Sequence, residues 1–422
     1  MARGGEFFLP RRPHPRPQLL RRRVARRGAK QQFRWFAGIT RDVFFKNRHF
    51  HGSLYPIQEG ATYNAYLVVD EQVTLFDTVE AEFTDELLQR VRSVIGDRPI
   101  DNIIVQHAEP DHSGGFTKMM DIYPQAKAYA SNAGANNMMK QYFKDVEYHR
   151  VKTGDTLCTG KHQFTFVEMP LIHWPDNMLT YDAASKVVFS NDAFGQHIVS
   201  FKLFDEAHEL SFCLEKAKEY YANIVMPYGA QVSAKLRQIK EMNLDIEMIA
   251  PAHGIIWKRY IPQLLEAYEG FATFRSTDKA VIVYESVWNH TRQMAEALAE
   301  GMADQGMEVK VYLHSSTSSA IIMKEILDAR VVLVGSGCYN NAMSPEISGF
   351  IDRLASCKIK GKKALGFGAY GWFGNTVKTI NERLQQAGFT LALDDEALSQ
   401  CYTPSESDLE RYYEAGRAIA KA

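Results

Sequence analysis

Four side chains that can bind metal ions follow one apolar stretch of the chain. In the segment IIVQHAEPDHSGG they fall within six positions: His107, Glu109, Asp111 and His112. Residues i and i+2 of an extended chain point the same way, so His107 and Glu109 can address one ion. The other two side chains follow the bend and can address a second ion, while the two glycines after them permit a tight turn. This density predicts a two-metal centre.

Three more potential ligands occur in the same structural context. Each comes just after an apolar, strand-like stretch, in the segments MPLIHWPD, SNDAFGQH and PAHG: His173, Asp192 and His253. A layered sheet collects the ends of such strands at one edge. The sequence therefore predicts that these side chains join the cluster at 107–112.

The elements that must position these residues change rhythm along the chain. From about Gly52 to Gly270, short β stretches alternate with helical ones, and Thr84 is predicted to cap a helix over 85–95. This pattern favours a layered α/β sandwich. After a linker-like FRSTDK segment, strands and helices alternate, and a helix over 291–305 carries Met294, Leu298 and Met302 on one face. That pattern is typical of a doubly wound parallel sheet.

Three loops of the second part, each at the end of an apolar strand, could hold a mononucleotide. Hydroxyls and free amides at a helix N-terminus bind phosphate, and the sequence lacks the glycine-rich fingerprint of dinucleotide binders. The loop after KAVIVYES would take the phosphate, and two later loops, at other strand ends, would enclose the ring. The candidate contacts are Ser286, Trp288, Asn289 and Thr291; Ser336, Cys338, Tyr339, Asn340 and Asn341; and Ala369, Tyr370, Gly371 and Trp372.

Composition is that of an ordinary globular protein, with 45% hydrophobic and 23% charged residues among 422. The formal net charge of -1 hides a basic N-terminal tail, because residues 1–30 carry ten Lys or Arg against Glu6 alone. The remainder is acidic, which argues against nucleic-acid binding. No apolar stretch approaches the roughly 18 residues of a membrane span. The five cysteines form no C-x-x-C pair, which excludes a cysteine zinc site or a built-in rubredoxin and fits a reducing cytoplasm.

The tail is rich in proline and arginine and has no hydrophobic period, so we expect a disordered extension without catalytic function. We expect a cytoplasmic protein, with organellar targeting by the tail left open. The predicted divisions are an extension over 1–47, a metal domain over 48–275 and a flavin domain over 276–422.

The pattern H-x-E-x-D-H, followed by separated His, Asp and His, resembles the metallo-β-lactamase superfamily. Ordinary members have His where this chain has Glu109, and a carboxylate there favours iron or manganese over zinc. The segments HWPDNM, SNDAFGQH and YYANIVMPYG match the flavodiiron family specifically. The resemblance implies a metallo-β-lactamase-like αββα sandwich followed by a flavodoxin-like doubly wound sheet.

The resemblance also implies roles for individual residues. One iron would be held by His107, Glu109 and His173, the other by Asp111, His112 and His253, with Asp192 between them. In some family members the residue at His112 is held away from the metal. Two ferrous ions, three carboxylates and one hydroxide sum to a neutral cluster, which is cheaper to bury than a charged one. By the same resemblance, His51 and Tyr221 would lie beside the iron pocket.

The implied activity is reduction of dioxygen, nitric oxide or both, with electrons passing from an external donor through FMN to the iron pair. The donor would be rubredoxin or a reductase acting through one, and the expected assembly is a head-to-tail homodimer or a dimer of dimers. Two alternatives remain: a zinc hydrolase with an attached flavodoxin, against which Glu109 argues, and a redox or nitric oxide sensor.

Overall fold

The computed structural model describes residues 33–38, 60–372, 374–393 and 398–422, with the backbone alone for 33–38. The predicted N-terminal extension and His51 lie outside these ranges, apart from a strand at 33–38. The division predicted at 275/276 stays a prediction.

Two sheets face each other in the N-terminal domain. The first runs in the order β1-β2-β3-β4-β5-β6 and the second in the order β11-β10-β9-β8-β7. The first sheet comprises Phe33–Gly38, Tyr63–Val69, Val73–Phe76, Asn102–Val105, Lys127–Ser131 and Tyr148–Val151 (β1–β6). The second comprises Thr156–Cys158, Gln163–Glu168, Met178–Asp182, Val187–Asn191 and Met248–Pro251 (β7–β11).

Buried aromatic rings join these sheets. The ring of Phe76 in β3 lies 4.0 Å from that of Phe189 in β10 and 5.0 Å from that of Phe164 in β8. Helices cover both outer faces, four beside the first sheet and three beside the second. They are Thr84–Ile95, Pro110–Ser113, Phe116–Ile122 and Asn132–Tyr142 (α1–α4), then Leu210–Tyr220, Gly229–Glu241 and Ile261–Ala272 (α5–α7). The predicted αββα sandwich is confirmed.

The C-terminal domain is a parallel sheet in the order β13-β12-β14-β15-β16, with β17 also beside β15. Its strands are Lys279–Glu285, Glu308–Leu313, Val331–Ser336, Lys363–Tyr370, Thr390–Leu391 and Ser399–Cys401 (β12–β17). Its helices are His290–Ala303, Ser319–Leu327, Pro345–Ser356, Thr376–Gln386 and Glu406–Lys421 (α8–α12). The strand order is the doubly wound one that was predicted, and Met294, Leu298 and Met302 are fully buried as expected.

One predicted cap is wrong. Helix α1 begins at Thr84 itself, which has helical dihedral angles, and its hydroxyl donates to the carbonyl of Ala81. A short 3-10 turn over Ala81–Phe83 leads directly into the helix, so the chain needs no separate capping residue at this point.

The two domains share a packed interface. Helix α9 lies against α5 and against a π-helical turn, Tyr221–Val225, that continues α5. Lys218 of α5 donates to Asp328 at 2.6 Å, and Arg353 donates to the Asn223 side chain at 2.7 Å. Within the described ranges, no helix has the length and apolar character of a membrane span.

Candidate metal centre and cofactor cleft

The seven predicted ligands converge at one edge of the sandwich. They come from the turns that follow β4, β8, β10 and β11, and from the short helix α2. Strand ends deliver them because the strands of both sheets that carry them stop at the same edge. They form two groups of ligand atoms: His107, Glu109, His173 and Asp192; then Asp111, His112 and His253.

In the first group, two histidine nitrogens lie close to Oε2 of Glu109. The Nε2 atoms of His107 and His173 lie 3.2 and 3.1 Å from Glu109 Oε2. The same two nitrogens lie 3.5 and 3.2 Å from Asp192 Oδ2. Two imidazoles and two carboxylates therefore face one point, a donor set that suits iron.

The second group uses the other oxygen of Asp192. Its Oδ1 lies 3.1 Å from His112 Nε2 and 3.3 Å from His253 Nε2. Asp111 lies 3.3 Å from each of these nitrogens, through Oδ1 and Oδ2 respectively. Asp192 thus presents one oxygen to each group, which is the arrangement of a bridging carboxylate.

Several of these atoms are buried without a hydrogen bond among the described residues. They are Asp111 Oδ1, His112 Nε2 and Asp192 Oδ2. The short distance from His112 Nε2 to Asp192 therefore does not correspond to an aligned hydrogen bond. A buried polar atom without a partner is costly, and bound cations would satisfy all three at once. The residues present fit a pair of metal ions.

The outer nitrogens of two histidines are already engaged. His107 Nδ1 lies 3.1 Å from Asp176 Oδ2, and His253 Nδ1 lies 2.7 Å from the carbonyl oxygen of Thr62. An Nδ1–H that donates outward leaves the Nε2 lone pair facing the centre. This is the usual support of a metal-binding histidine.

The electrostatics of the centre favour positive charge. Burial lowers the pKa of His253, but Asp111 and Asp192 outweigh burial and raise it to about 10. Burial likewise lowers the pKa of His173, but the hydrogen bonds to Asp192 and Glu109 outweigh burial and raise it to about 9. Without metal, the carboxylates would hold protons on these rings, and metal binding would displace them.

The structure distinguishes the two adjacent tyrosines. Tyr220 donates to Asp192 Oδ1 at 2.9 Å, whereas Tyr221 packs its ring 5.3 Å from that of Tyr268 and 5.4 Å from that of Phe271. The tyrosine beside the metal groups is therefore Tyr220, and the position expected of Tyr221 is corrected by one residue. The π-helical turn begins at Tyr221 and shifts the helical register there, which no spacing in the sequence indicates.

His197 is a site residue that the sequence analysis missed. Its ring lies 4.8 Å from that of Tyr220 and 5.7 Å from that of His253, and the side chain is buried. It closes the segment SNDAFGQH, whose Asp192 was noticed while its histidine was not. The signal was the presence of a second ionisable residue in a strand-end loop.

The predicted flavin loops meet at the C-terminal edge of the parallel sheet. β12 lies between β13 and β14, so the chain leaves in opposite directions from neighbouring strands, where doubly wound sheets bind ligands. A cavity of ≈ 290 Å³ opens there. It is lined by Cys338, Asn340, Asn341, Gly371 and Trp372.

Other predicted flavin residues shape these loops. Ser336 accepts from the Ser344 backbone at 2.9 Å, and the Ala369 carbonyl accepts from Cys338 at 2.9 Å. Tyr339 exchanges two backbone hydrogen bonds with Ala342, closing a turn with left-handed residues at 340 and 341. The Tyr370 ring lies against Gly374, where a Cβ would come within 3.2 Å of it.

The phosphate loop precedes α8. Asn289 is left-handed and makes no side-chain cap, which leaves the amides of the first turn for a ligand. Thr291 is buried in that turn, Trp288 is 79% exposed, and Ser286 is half-buried. The open helix start offers free backbone amides that suit a phosphate group.

Comparison with known proteins agrees with both halves of this geometry. The family described as "ODP family beta lactamase" matches residues 61–254, and "Flavodoxin" matches residues 282–416. A nitric oxide reductase of Moorella thermoacetica is 40% identical over 88% of this chain and 94% of that protein. An anaerobic nitric oxide reductase flavorubredoxin of Vibrio vulnificus is 36% identical over 88% of this chain and 76% of that protein.

Solved structures show the same arrangement. Rubredoxin:oxygen oxidoreductase from Desulfovibrio gigas superposes with a TM-score of 0.86 at 35% identity, covering 89% of this chain and 94% of that one. The flavodiiron protein of Giardia intestinalis gives 0.85 at 28% identity, covering 92% and 94%. The flavodoxin domain, the metal donor set and these relatives make FMN and a non-heme di-iron centre the cofactors of this chain. The chain belongs to the flavodiiron protein family.

Proposed function

We propose that this chain is a reductase in which electrons from an external donor reach a di-iron centre through FMN and reduce dioxygen to water, nitric oxide to nitrous oxide, or both. The donor set of the first group carries the proposal, because Glu109 and Asp192 give it two carboxylates, which favours iron over the zinc of a hydrolase. The names of the relatives support both substrates. Dioxygen would take four electrons and four protons to give two waters, and two nitric oxide molecules would take two of each to give nitrous oxide and water.

We assign the metal ligands as follows. His107, Glu109 and His173 would hold one iron, and Asp111, His112 and His253 would hold the other. Asp192 would offer one oxygen to each group. Support comes from the distances of 3.1–3.5 Å between these atoms and from the buried oxygens and nitrogen that lack other partners. The Nε2 atom of His112, 3.1 Å from Asp192 Oδ1, argues for including this residue among the ligands.

Bound iron and flavin supply the electron transfer, and the protein supplies order, burial and protons. The second metal group is buried, and the Tyr220 hydroxyl donates to Asp192 Oδ1 across an oxygen-to-oxygen distance of 2.9 Å. Burial, then Asp192, raises the pKa of this phenol, so the hydroxyl stays protonated as a hydrogen-bond donor. The role expected of His51 stays a prediction.

For the flavin, Ser286, Asn289 and Thr291 would meet the phosphate at the start of α8, and the cavity beside Cys338 and Trp372 would hold the ring. We further propose a head-to-tail homodimer that pairs the flavin of one subunit with the irons of the other. Its support is the exposure of Trp288 and Trp372, 79% and 81%, at the rim of the flavin site. A rubredoxin-type protein would be the electron donor.

The decisive experiment measures cofactors first and turnover second. Anaerobically purified protein should contain about two irons and one FMN per chain and consume oxygen or nitric oxide with reduced rubredoxin. Asp192→Asn should lose iron and turnover while keeping FMN and its reduction by the donor. Zinc in place of iron after metal-replete expression would refute the proposal and favour a hydrolase.

Sedimentation of the holoprotein tests the proposed dimer, and a monomer with full activity would refute the dimer.

A further inference from the structure

A tight loop after β10 wraps around the ring of Tyr220. It starts at Asp192 and turns at once, since the Gly195 amide donates to the Asp192 carbonyl at 3.0 Å. Gly195 lies directly against the phenol, because a Cβ there would come within 3.2 Å of Tyr220 Cζ and 3.4 Å of Cε1. An alanine at this position would force the ring, or the Asp192 carbonyl oxygen 3.0 Å from that Cβ, to move by a few tenths of an ångström.

His197 bounds the same ring from another side. Its imidazole lies 4.8 Å from the phenol ring at 67°, and 5.7 Å from the His253 ring at 65°. The side chain is 5% exposed. His197 therefore packs both against Tyr220, which donates to Asp192, and against His253 of the second metal group.

Hydrogen bonds to the neighbouring loop hold the 192–197 loop in one conformation. Phe194 is left-handed at a φ of 68°, a conformation that a bulky aromatic adopts only when its surroundings enforce it. Its carbonyl accepts from Trp257 at 2.9 Å and from the Gln196 side chain at 2.6 Å. Gln196 in turn accepts from Ile255 at 2.8 Å, two residues beyond His253. The loops that carry Asp192 and His253 are thus tied together.

We propose that Gly195 and His197 are positioning residues that clamp the Tyr220 ring, so that its hydroxyl holds Asp192 Oδ1 between the two metal groups. The inference rests on the proposed di-iron function. The hydroxyl lies 2.9 Å from an oxygen that is itself within 3.1 Å of His112 Nε2. A rotated phenol would release this carboxylate oxygen, and the second metal would lose part of its support.

A double-mutant cycle on the full-length holoprotein tests this. Iron is removed with FMN retained, and Fe²⁺ is added back anaerobically to obtain the affinity for the second equivalent. Tyr220→Phe, Gly195→Ala and His197→Ala should each weaken that affinity about tenfold, the usual cost of removing an outer partner of a metal ligand. In a Tyr220→Phe background, Gly195→Ala or His197→Ala should then add less than about twofold, because the interaction they serve is already absent.

Controls and contrary results separate the outcomes. Full FMN content shows that each variant is folded, and Val232→Ala, a truncation in the same hydrophobic core, should lower stability without changing Fe²⁺ affinity. Equal effects of Gly195→Ala and His197→Ala with and without the Tyr220 hydroxyl would refute the clamp, as would no effect of Tyr220→Phe. If wild-type protein binds no second Fe²⁺, the di-iron function itself fails.

Discussion

The Nδ1 atom of His107 lies 3.1 Å from Oδ2 of Asp176, and the same oxygen accepts the backbone N–H of Ala108 at 2.7 Å. Both side chains are fully buried. Burial lowers the pKa of His107, yet the hydrogen bond to Asp176, with Glu109 and Asp192, raises it well above its usual value. The carboxylate therefore fixes the direction of the ring and increases the basicity of the nitrogen that faces the first metal group.

Asp176→Asn should weaken iron binding at the first group about tenfold, because the amide carries no charge to support His107. Its NH2 would also replace Oδ1, a buried oxygen that has no hydrogen-bond partner among the described residues. Iron content after dialysis against a graded chelator measures the effect. Asp182→Asn is the matched control, since Asp182 is an equally buried partner of His162 at 2.6 Å outside the metal centre. An equal loss of iron in both variants would contradict the prediction.

Glu109→His should change the metal preference. The first group would become three imidazoles and one carboxylate, a softer set that binds zinc better. After expression with equal iron and zinc, the zinc-to-iron ratio should rise while FMN content stays the same. Retention of the wild-type ratio would show that geometry, and not this ligand, selects the metal.

Thr291→Val should weaken FMN binding about tenfold, or ~1.4 kcal/mol, because the variant lacks the threonine hydroxyl that would donate a hydrogen bond to the charged phosphate. Titration of flavin-free protein with FMN, followed by loss of flavin fluorescence, gives the affinity. Thr180→Val makes the same change at a buried threonine of the other domain and should leave FMN binding unchanged. A normal affinity in Thr291→Val would place the phosphate elsewhere.

The pair of His162 and Asp182 should give a pH-dependent stability. The hydrogen bond to Asp182 raises the pKa of His162 above 6.5 despite partial burial. Because the folded state holds this proton more tightly, the stabilisation is complete below pH 6.5 and is lost as the pH rises through the folded-state pKa. The melting temperature of wild type minus that of His162→Gln should therefore shrink as the pH rises above about 6.5. A difference that grows with pH would contradict this assignment.

Asp328→Asn should lower the free energy of unfolding by about 2–3 kcal/mol, because two nearly buried lysines lose the carboxylate that pairs with them. The loss stays below that of a fully buried pair because Asp328 is partly exposed to solvent. Lys218 donates to Asp328 at 2.6 Å, and Lys279 is also paired with it. Denaturant unfolding gives the change. Asp278→Asn, at an exposed ion pair with Arg330, should cost less than about 1 kcal/mol.

The metal centre was predictable because its ligands occupy the turns after apolar strands, and strand ends meet at one edge of a sheet. The flavin cavity followed for the same reason. What spacing could not show was the side-chain direction where regular structure breaks. Tyr220, and not the predicted Tyr221, lies beside Asp192 where a π-helical turn begins at Tyr221, and a 3-10 turn before α1 removed the need for a cap at Thr84.

His197 shows a second limit. Its importance lies in contacts with Tyr220 and His253, which come from two other parts of the chain. The edge of the parallel sheet shows the same limit, since β15 is paired by two short strands, Thr390–Leu391 and Ser399–Cys401. Pairing of this kind depends on how the intervening chain returns, which local composition does not encode.

The ion pair between Lys218 of α5 and Asp328, just after α9, bears on how such chains can be recombined. Lys218 is only 9% exposed at its side chain and is paired with a carboxylate supplied by the other domain. A chimera that joins this metal domain to a foreign flavodoxin domain would keep Lys218 and lose Asp328, so the foreign domain would have to provide a new counter-ion. Functional chimeras should therefore keep α9 and the Lys218–Asp328 pair together.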